Sequence, residues 1–316
     1  MNLPTATILS AATPVFLLLL GGLLLRKGGV LRAEADASVM KLVIRVLYPC
    51  LFLDFIVGNP ALSGAGNLLV PPLIGFFTIT GGFLAGHFGA RLLGLRRGEG
   101  KRTFAFCNGV YNFGYIPIPV ILTLFGEEAL GVLLVHNVGV EVAIWTVGIV
   151  VVSGKLHWTD LRRIANPPVL ALFAALSINF LGWAAHVPGW LDRFVSMLAA
   201  CCIPLGILLA GASIADLLEE KGLFRSWRVP AGALALRLGL LPALFLLTGM
   251  ALPGLSPELR QVIVIQAAMP AGIFPIVLAR HYGGSPRVAI EIVLATTAAC
   301  LLTMPLWIRL GASLLL

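Results

Sequence analysis

The sequence predicts an all-α membrane protein of ten transmembrane helices, built as an inverted five-plus-five repeat whose fourth and ninth helices are broken and cross. Three observations carry this. Hydrophobic residues make up 59% of the 316-residue chain and charged ones only 11%, whereas a soluble domain carries roughly 25% charge. Apolar windows long enough to cross a core ~30 Å thick recur along the whole chain. Proline and glycine interrupt two of those windows in the same pattern.

The windows follow in order. The first, 5–25, is read as a membrane helix rather than a signal peptide, because "MNLPTATILSAATP" has no basic start and Arg26 and Lys27 follow the apolar run. The second, 37–58, contains Tyr48-Pro49 and Asp54. The third, 68–93, contains "GGFLAGHFG", where Gly82-x-x-x-Gly86 permits close helix contact, within the chain or across a homodimer face. The fourth, 103–124, is interrupted by "GYIPIP", and the fifth, 128–153, holds His136, Asn137 and Glu141. The sixth and seventh are 167–185 and 190–211, the latter with Ile203-Pro204. The eighth, 229–252, holds Arg237; the ninth, 258–279, is interrupted by "GIFPI"; the tenth is 287–310. These spans leave no room for a sizeable soluble domain, and the ~10-residue alternation of a membrane β-barrel is absent. The five cysteines all lie in apolar spans with no CxxC spacing, so they read as small buried hydrophobes. No cofactor or metal is called for.

Net charge is +8, which could suggest nucleic acid, but its distribution argues for a membrane. Seventeen Lys and Arg residues sit in or beside connections after odd-numbered spans, Arg97 and Arg225 among them, against Arg193 and Arg260 after even-numbered ones. The positive-inside rule then puts the odd connections in the cytoplasm and both termini outside a plasma (cell inner) membrane. The basic side also meets anionic lipid.

Sliding "GYIPIP" by 158 residues onto "GIFPI" matches Gly114 to Gly272, Pro117 to Pro275, Ile118 to Ile276 and Gly126 to Gly284, and brings Asn108 onto Gln266. Tyr48-Pro49 and Ile203-Pro204 occupy the second span of each half. The chain thus divides into repeats 1–153 and 167–316 joined by a linker, 154–166. An odd number of spans per repeat forces the second copy upside down, the plan of many secondary transporters. Each break frees backbone N–H and C=O groups that lipid cannot satisfy. Half-helices starting near Pro119 and Pro275 would turn their positive ends, about +0.5 charge each, and free amides toward a shared midplane site. That arrangement attracts an anion without a lysine.

"YNFGYIPIPVILTLFGEEAL" resembles the fourth-helix motif of the auxin efflux carrier family, with Asn112, Gly114 and Pro119 on its Asn, first Gly and Pro, and Pro117 in place of its second Gly. "QAAMPAGIFPIVLARHYGGSP" resembles the ninth-helix motif over Ala268, Pro270, Gly272, Pro275 and Tyr282. The resemblance implies ten helices with both ends outside. It also implies a scaffold from 1–58 and 167–211, a moving transport domain from 68–153 and 229–312, and elevator-like carriage of an organic anion, as members of that family carry auxin or small dicarboxylates. The plant auxin site is not matched in the fourth helix, so auxin itself is not implied. Asn112 and the prolines 117, 119, 270 and 275 then line the crossover. Together with the polar and glycine positions around the breaks, the candidate substrate site is Asn108, Asn112, Gly114, Pro117, Pro119, Gln266, Pro270, Gly272 and Pro275.

Ionisable groups inside a bilayer are rare and usually functional. Glu141, about 13 residues into span five, and His136 a turn away are the candidates for proton coupling, although their i,i+5 spacing does not put them on one face. Asp54, near the outer end of span two, is a third candidate or a solvated interfacial carboxylate. Arg237 offsets a substrate carboxylate, pairs with Glu141, or snorkels to the surface, the favoured reading; Arg45 and Glu291 are expected to snorkel. The leading function is therefore a secondary or facilitative carrier of a small organic anion, with a sodium-coupled symporter of the bile-acid type as the alternative. No HExxH, paired-aspartate or GxSxG constellation suggests an enzyme, and no P-loop suggests ATP drive.

Overall fold

The computed structural model describes residues 3–96, 100–224 and 226–316, and these are helical apart from loops and one isolated β-bridge. Arg97 and Arg225 of the charge count lie outside the described residues. The helices are α1 (Thr5–Lys27), α2 (Ala33–Leu42, running through a π turn at Val43–Leu47 into Tyr48–Ile56), α3 (Ala65–Leu92), α4 (Lys101–Gly109), α5 (Pro117–Phe125), α6 (Glu127–Ser153), α7 (Pro167–Phe180), α8 (Gly189–Leu218), α9 (Arg228–Ala251), α10 (Pro257–Ala267), α11 (Phe274–His281) and α12 (Pro286–Leu315).

Six helices, α1, α3, α6, α8, α9 and α12, are long and apolar enough to cross a membrane unbroken. A short helix before α7, Trp158–Ile164 with its 3-10 end, meets α7 at 47°, and the pair is a seventh candidate. Leu17, Phe77, Leu92, Phe180 and Leu302 stand exposed on the flanks, a surface suited to lipid rather than water.

Three starts share one chemistry. Asn166, Ser256 and Ser285 each accept a hydrogen bond from the amide three residues on, and each is followed by proline at the first helical position. The cap satisfies an orphan N–H and the proline has none to lose.

The π turn at Leu236–Leu240 in α9 has a readable cause. Pro242 lacks the N–H that would bond the Leu238 carbonyl four residues earlier. Trp307 of α12 takes that carbonyl instead, Nε1 donating to Leu238 O at 2.7 Å.

Two packing groups result. α1 runs along α8 with backbones nearly touching: a Cβ added at Gly22 would lie 2.0 Å from Leu208 O, and one at Gly211 2.0 Å from Leu19 O. The second half of α2 packs on α7 and α8. Separately, α3 packs on α4 and α6, α9 on α12, and α10 against α6, α9 and α12. Gly82 and Gly86 face Gly109 and Ala105 of α4, so the Gly-x-x-x-Gly motif packs inside the chain.

The connections collect at two ends of opposite character. At one, Arg26 bridges Asp36 and Asp216, Arg102 bonds Ser153 O, Arg280 pairs with Glu220, and Tyr282 donates to Asp160. At the other, Gly58 meets Asn179, Asn59 meets Glu127 and Ser256 meets Asn67. The first end carries most of the Lys and Arg. At the second, Asp54, Glu127, Glu128 and Glu258 line a vestibule of about 620 Å³.

Candidate functional site

The chain between α4 and α5 and the chain between α10 and α11 lie against each other. Tyr111 and Ala271 form an antiparallel bridge. The Asn112 amide donates to Pro270 O at 2.8 Å and the Gly272 amide to Val110 O at 3.0 Å. Gly272 suits this approach, since a Cβ there would stand only 3.1 Å from Tyr111 O and press on backbone.

Several of the freed backbone groups find protein partners. Thr296 Oγ1 accepts from the Ala271 amide at 3.2 Å, and Cys300 Sγ faces Ala268 O at 3.6 Å. Asn137 Nδ2 donates to Phe113 O at 2.7 Å, while its Oδ1 accepts from Gln266 Nε2 at 3.1 Å. One side chain of α6 thus ties the first interruption to the last turn of α10. Gly114 passes under the Tyr48 ring, where a Cβ would lie 2.9 Å from the hydroxyl.

The first turn of α5 offers fewer donors than its position suggests. Pro117 and Pro119 carry no N–H. The Ile118 amide is used by Gly114 O at 3.1 Å and the Ile116 amide by Asn112 Oδ1 at 3.3 Å. α11, with Pro275 at its second position, spends the Ile276 amide on Ile273 O. The expectation of free amides at α5 is therefore corrected at these positions. The helix ends supply field, and Asn112 Nδ2 is a side-chain donor left unused at the crossing, its Oδ1 and backbone N–H both being engaged.

The predicted residues separate into groups. Asn112, Pro270 and Gly272 meet at the bridge, with Gly114, Pro117, Pro119 and Pro275 in the following turns. Asn108 and Gln266 are fully buried on the preceding half-helices; the Asn108 amide bonds Phe104 O at 2.8 Å, and Asn108 Oδ1 and Gln266 Oε1 have no protein partner. His136 is fully buried, its Nδ1 3.5 Å from Asn137 Oδ1 and its Nε2 unpartnered. Glu141 accepts from Asn166, the residue that caps α7. Among the described residues no bond joins Glu141 to His136 or to Arg237. Asp54 accepts from Ser196 of α8 and is the one candidate that lines the vestibule.

Two snorkelling expectations fail. Glu291 is 1% exposed and accepts from Arg287 Nε and the Phe224 amide, both at 2.9 Å. Arg237, also 1% exposed, turns inward from the π turn of α9 to the bridge. Its Nε donates to Met269 O at 3.0 Å, and its guanidinium carbon lies 5.2 Å from the Tyr111 ring centroid. An unpaired buried charge costs several kcal/mol. The charge-assisted bond offsets about 1.5–3 kcal/mol and the ring face about 0.5–2 kcal/mol. Burial is thus met by carbonyl and ring rather than by a carboxylate. Asn137 and Thr296 were not candidates: a single Asn beside a titratable pair and a Thr in an apolar span give no sequence signal of where they point.

The profile of the family described as membrane transport protein matches this chain over residues 7–159 and 152–308. The chain belongs to the auxin efflux carrier family. The carrier is 25% identical over 312 residues to an uncharacterized transporter of Methanothermobacter thermautotrophicus, covering 96% of this chain and 97% of that one. It is 23% identical over 299 residues to an uncharacterized transporter of Methanocaldococcus jannaschii, covering 93% and 95%. Over 157 residues it is 28% identical to auxin efflux carrier component 4 of Arabidopsis thaliana, which takes in 49% of the carrier and 25% of the plant protein. These relatives are membrane transporters, not enzymes.

Proposed function

We propose that the carrier moves a small organic anion, a carboxylate of the auxin-like or dicarboxylate class, across the plasma membrane by alternating access at the paired interruptions. The observation that carries this reading is the bridge around Asn112. Two half-helix starts, at Pro117 and Phe274, flank a backbone crossing at which the Asn112 side-chain amide is an unused donor. Positive helix ends with a side-chain donor suit a carboxylate.

In this reading the carrier crosses the membrane ten times: six unbroken helices, α2, α7, and the pairs α4–α5 and α10–α11. The register at the bridge supports an inverted repeat. Under the 158-residue offset the counterpart of Asn112 is Pro270, the residue to which it is bonded, so a two-fold axis would pass through that pair. The packing of α1, α2, α7 and α8 on one another supports a scaffold of 1–58 and 167–211. A transport domain of 68–153 and 229–312 would slide against it as an elevator. The basic end faces the cytoplasm and both termini lie outside, by the positive-inside rule. Glu141, held by the cap of α7 across the two groups, is the leading coupling group for a proton, with His136 and Asp54 as the other candidates.

The test is a thermal-shift screen of the purified carrier against indole-3-acetate, succinate and other carboxylates, followed by uptake of the best binder into proteoliposomes. Stabilisation and uptake by a carboxylate support the reading. A carrier indifferent to every carboxylate but stabilised by amines or sugars overturns it.

A further inference from the structure

Arg237 is a full positive charge placed at the crossing, and among the described residues no carboxylate pairs with it. Its titratable neighbours are Tyr111 and Cys300, neither of them a carboxylate. Its Nε is bonded to Met269 O, the carbonyl just past the end of α10, and its guanidinium lies over Tyr111 in the other interruption. The carbonyl ends of broken helices are where metal-ion-coupled carriers hold their cation, because freed C=O groups and the negative dipole end converge there. In this chain that end is already held by a side chain. Two unit positive charges a few ångströms apart repel strongly, so a sodium ion at Met269 O is excluded while Arg237 is present.

We infer that Arg237 is a resident cation, standing at the carbonyl end of the crossing in place of a metal ion, so that this carrier binds its anion without sodium. The guanidinium cannot be titrated away and, unlike a dissolved ion, is not released at the end of a cycle. Its Nη2 has no hydrogen-bond partner among the described residues, and the guanidinium keeps N–H donors for a bound anion beyond the Nε bond to Met269 O. The inference rests on the anion-carrier reading above and adds to it the source of the fixed charge.

The experiment uses the full chain in lipid nanodiscs, with indole-3-acetate and succinate as probes and thermal shift as readout, in sodium chloride and in choline chloride. The wild-type shift is expected to be the same in both salts. Arg237→Gln, which keeps an N–H donor for Met269 O but loses the charge, is expected to weaken carboxylate affinity about tenfold or more, and Arg237→Lys to keep most of it. Arg237→Ala is expected to regain binding on addition of millimolar methylguanidinium but not of choline. A wild-type shift that needs sodium overturns the inference, as does wild-type affinity in Arg237→Gln, and both leave the anion-carrier reading standing. No shift with any carboxylate in either salt overturns that reading, and this inference with it. Where Arg237→Gln does not survive purification, the sodium comparison on wild type and Arg237→Lys decides: sodium dependence in either one overturns the inference.

Discussion

Asn112 donates its backbone N–H to Pro270 at 2.8 Å, although the two residues lie in different halves of the chain. Each is the point where its helix has stopped, and the bond closes a group that would otherwise face lipid unpaired. The same pairing leaves the Asn112 side-chain amide as an open donor at the crossing.

Replacing Asn112 by Ala removes that donor and the acceptor for the Ile116 amide. Initial uptake into proteoliposomes is expected to fall at least about tenfold, the effect of losing one hydrogen bond to a charged ligand. Circular dichroism and monodispersity should be unchanged, because the backbone bond to Pro270 does not use the side chain. Pro275→Ala, which loosens the start of α11, should also abolish uptake without loss of insertion. Normal uptake by both variants removes the crossing from the mechanism.

Gly272→Val is expected to lower Tm rather than alter selectivity. The new Cβ meets Tyr111 O at 3.1 Å and backbone cannot give way easily, so the cost is on the order of 1–3 kcal/mol. A thermal melt of the detergent-solubilised protein reads it; an unchanged melt would mean that the two interruptions are not held this close.

Trp307→Phe strips the Leu238 carbonyl of its partner and is expected to destabilise by about 1–3 kcal/mol. Pro242→Ala restores a backbone N–H at the position that proline vacated, so in that background the Trp307→Phe penalty should shrink. A double-mutant cycle on thermal stability measures the coupling. Additive effects would show that the proline is not the reason Trp307 is needed.

Glu141→Gln is expected to flatten the pH dependence of uptake while keeping the bond from Asn166, since an amide oxygen still accepts. An unchanged profile excludes Glu141 as the proton carrier; flattening by Asp54→Asn instead would move the proton to the vestibule end.

The interruptions were legible because proline and glycine announce them through backbone chemistry that needs no partner. The helix starts at Asn166-Pro167, Ser256-Pro257 and Ser285-Pro286 were equally local. What sequence could not give were contacts between distant helices. Arg237 near a span end reads as a snorkelling side chain until Met269 and Tyr111 are found beside it. The i,i+5 spacing already tells that Glu141 and His136 do not share a face, but not which neighbours each meets, Asn166 and Asn137. The spent amides of α5 were in principle readable, since two of its first three residues are proline, yet the use of Ile118 by Gly114 depends on the path of the loop.

The vestibule has a consequence for rate. Four carboxylates, Asp54, Glu127, Glu128 and Glu258, line the vestibule, and under the proposed anion-carrier function an anion arriving at that end would meet them. Their combined potential retards arrival from that side and hastens departure toward it, so flux in the two directions becomes unequal without any change in the equilibrium. Added salt shrinks the reach of that potential to about 10 Å at 0.1 M, so under the proposed function any such directional bias fades as ionic strength rises.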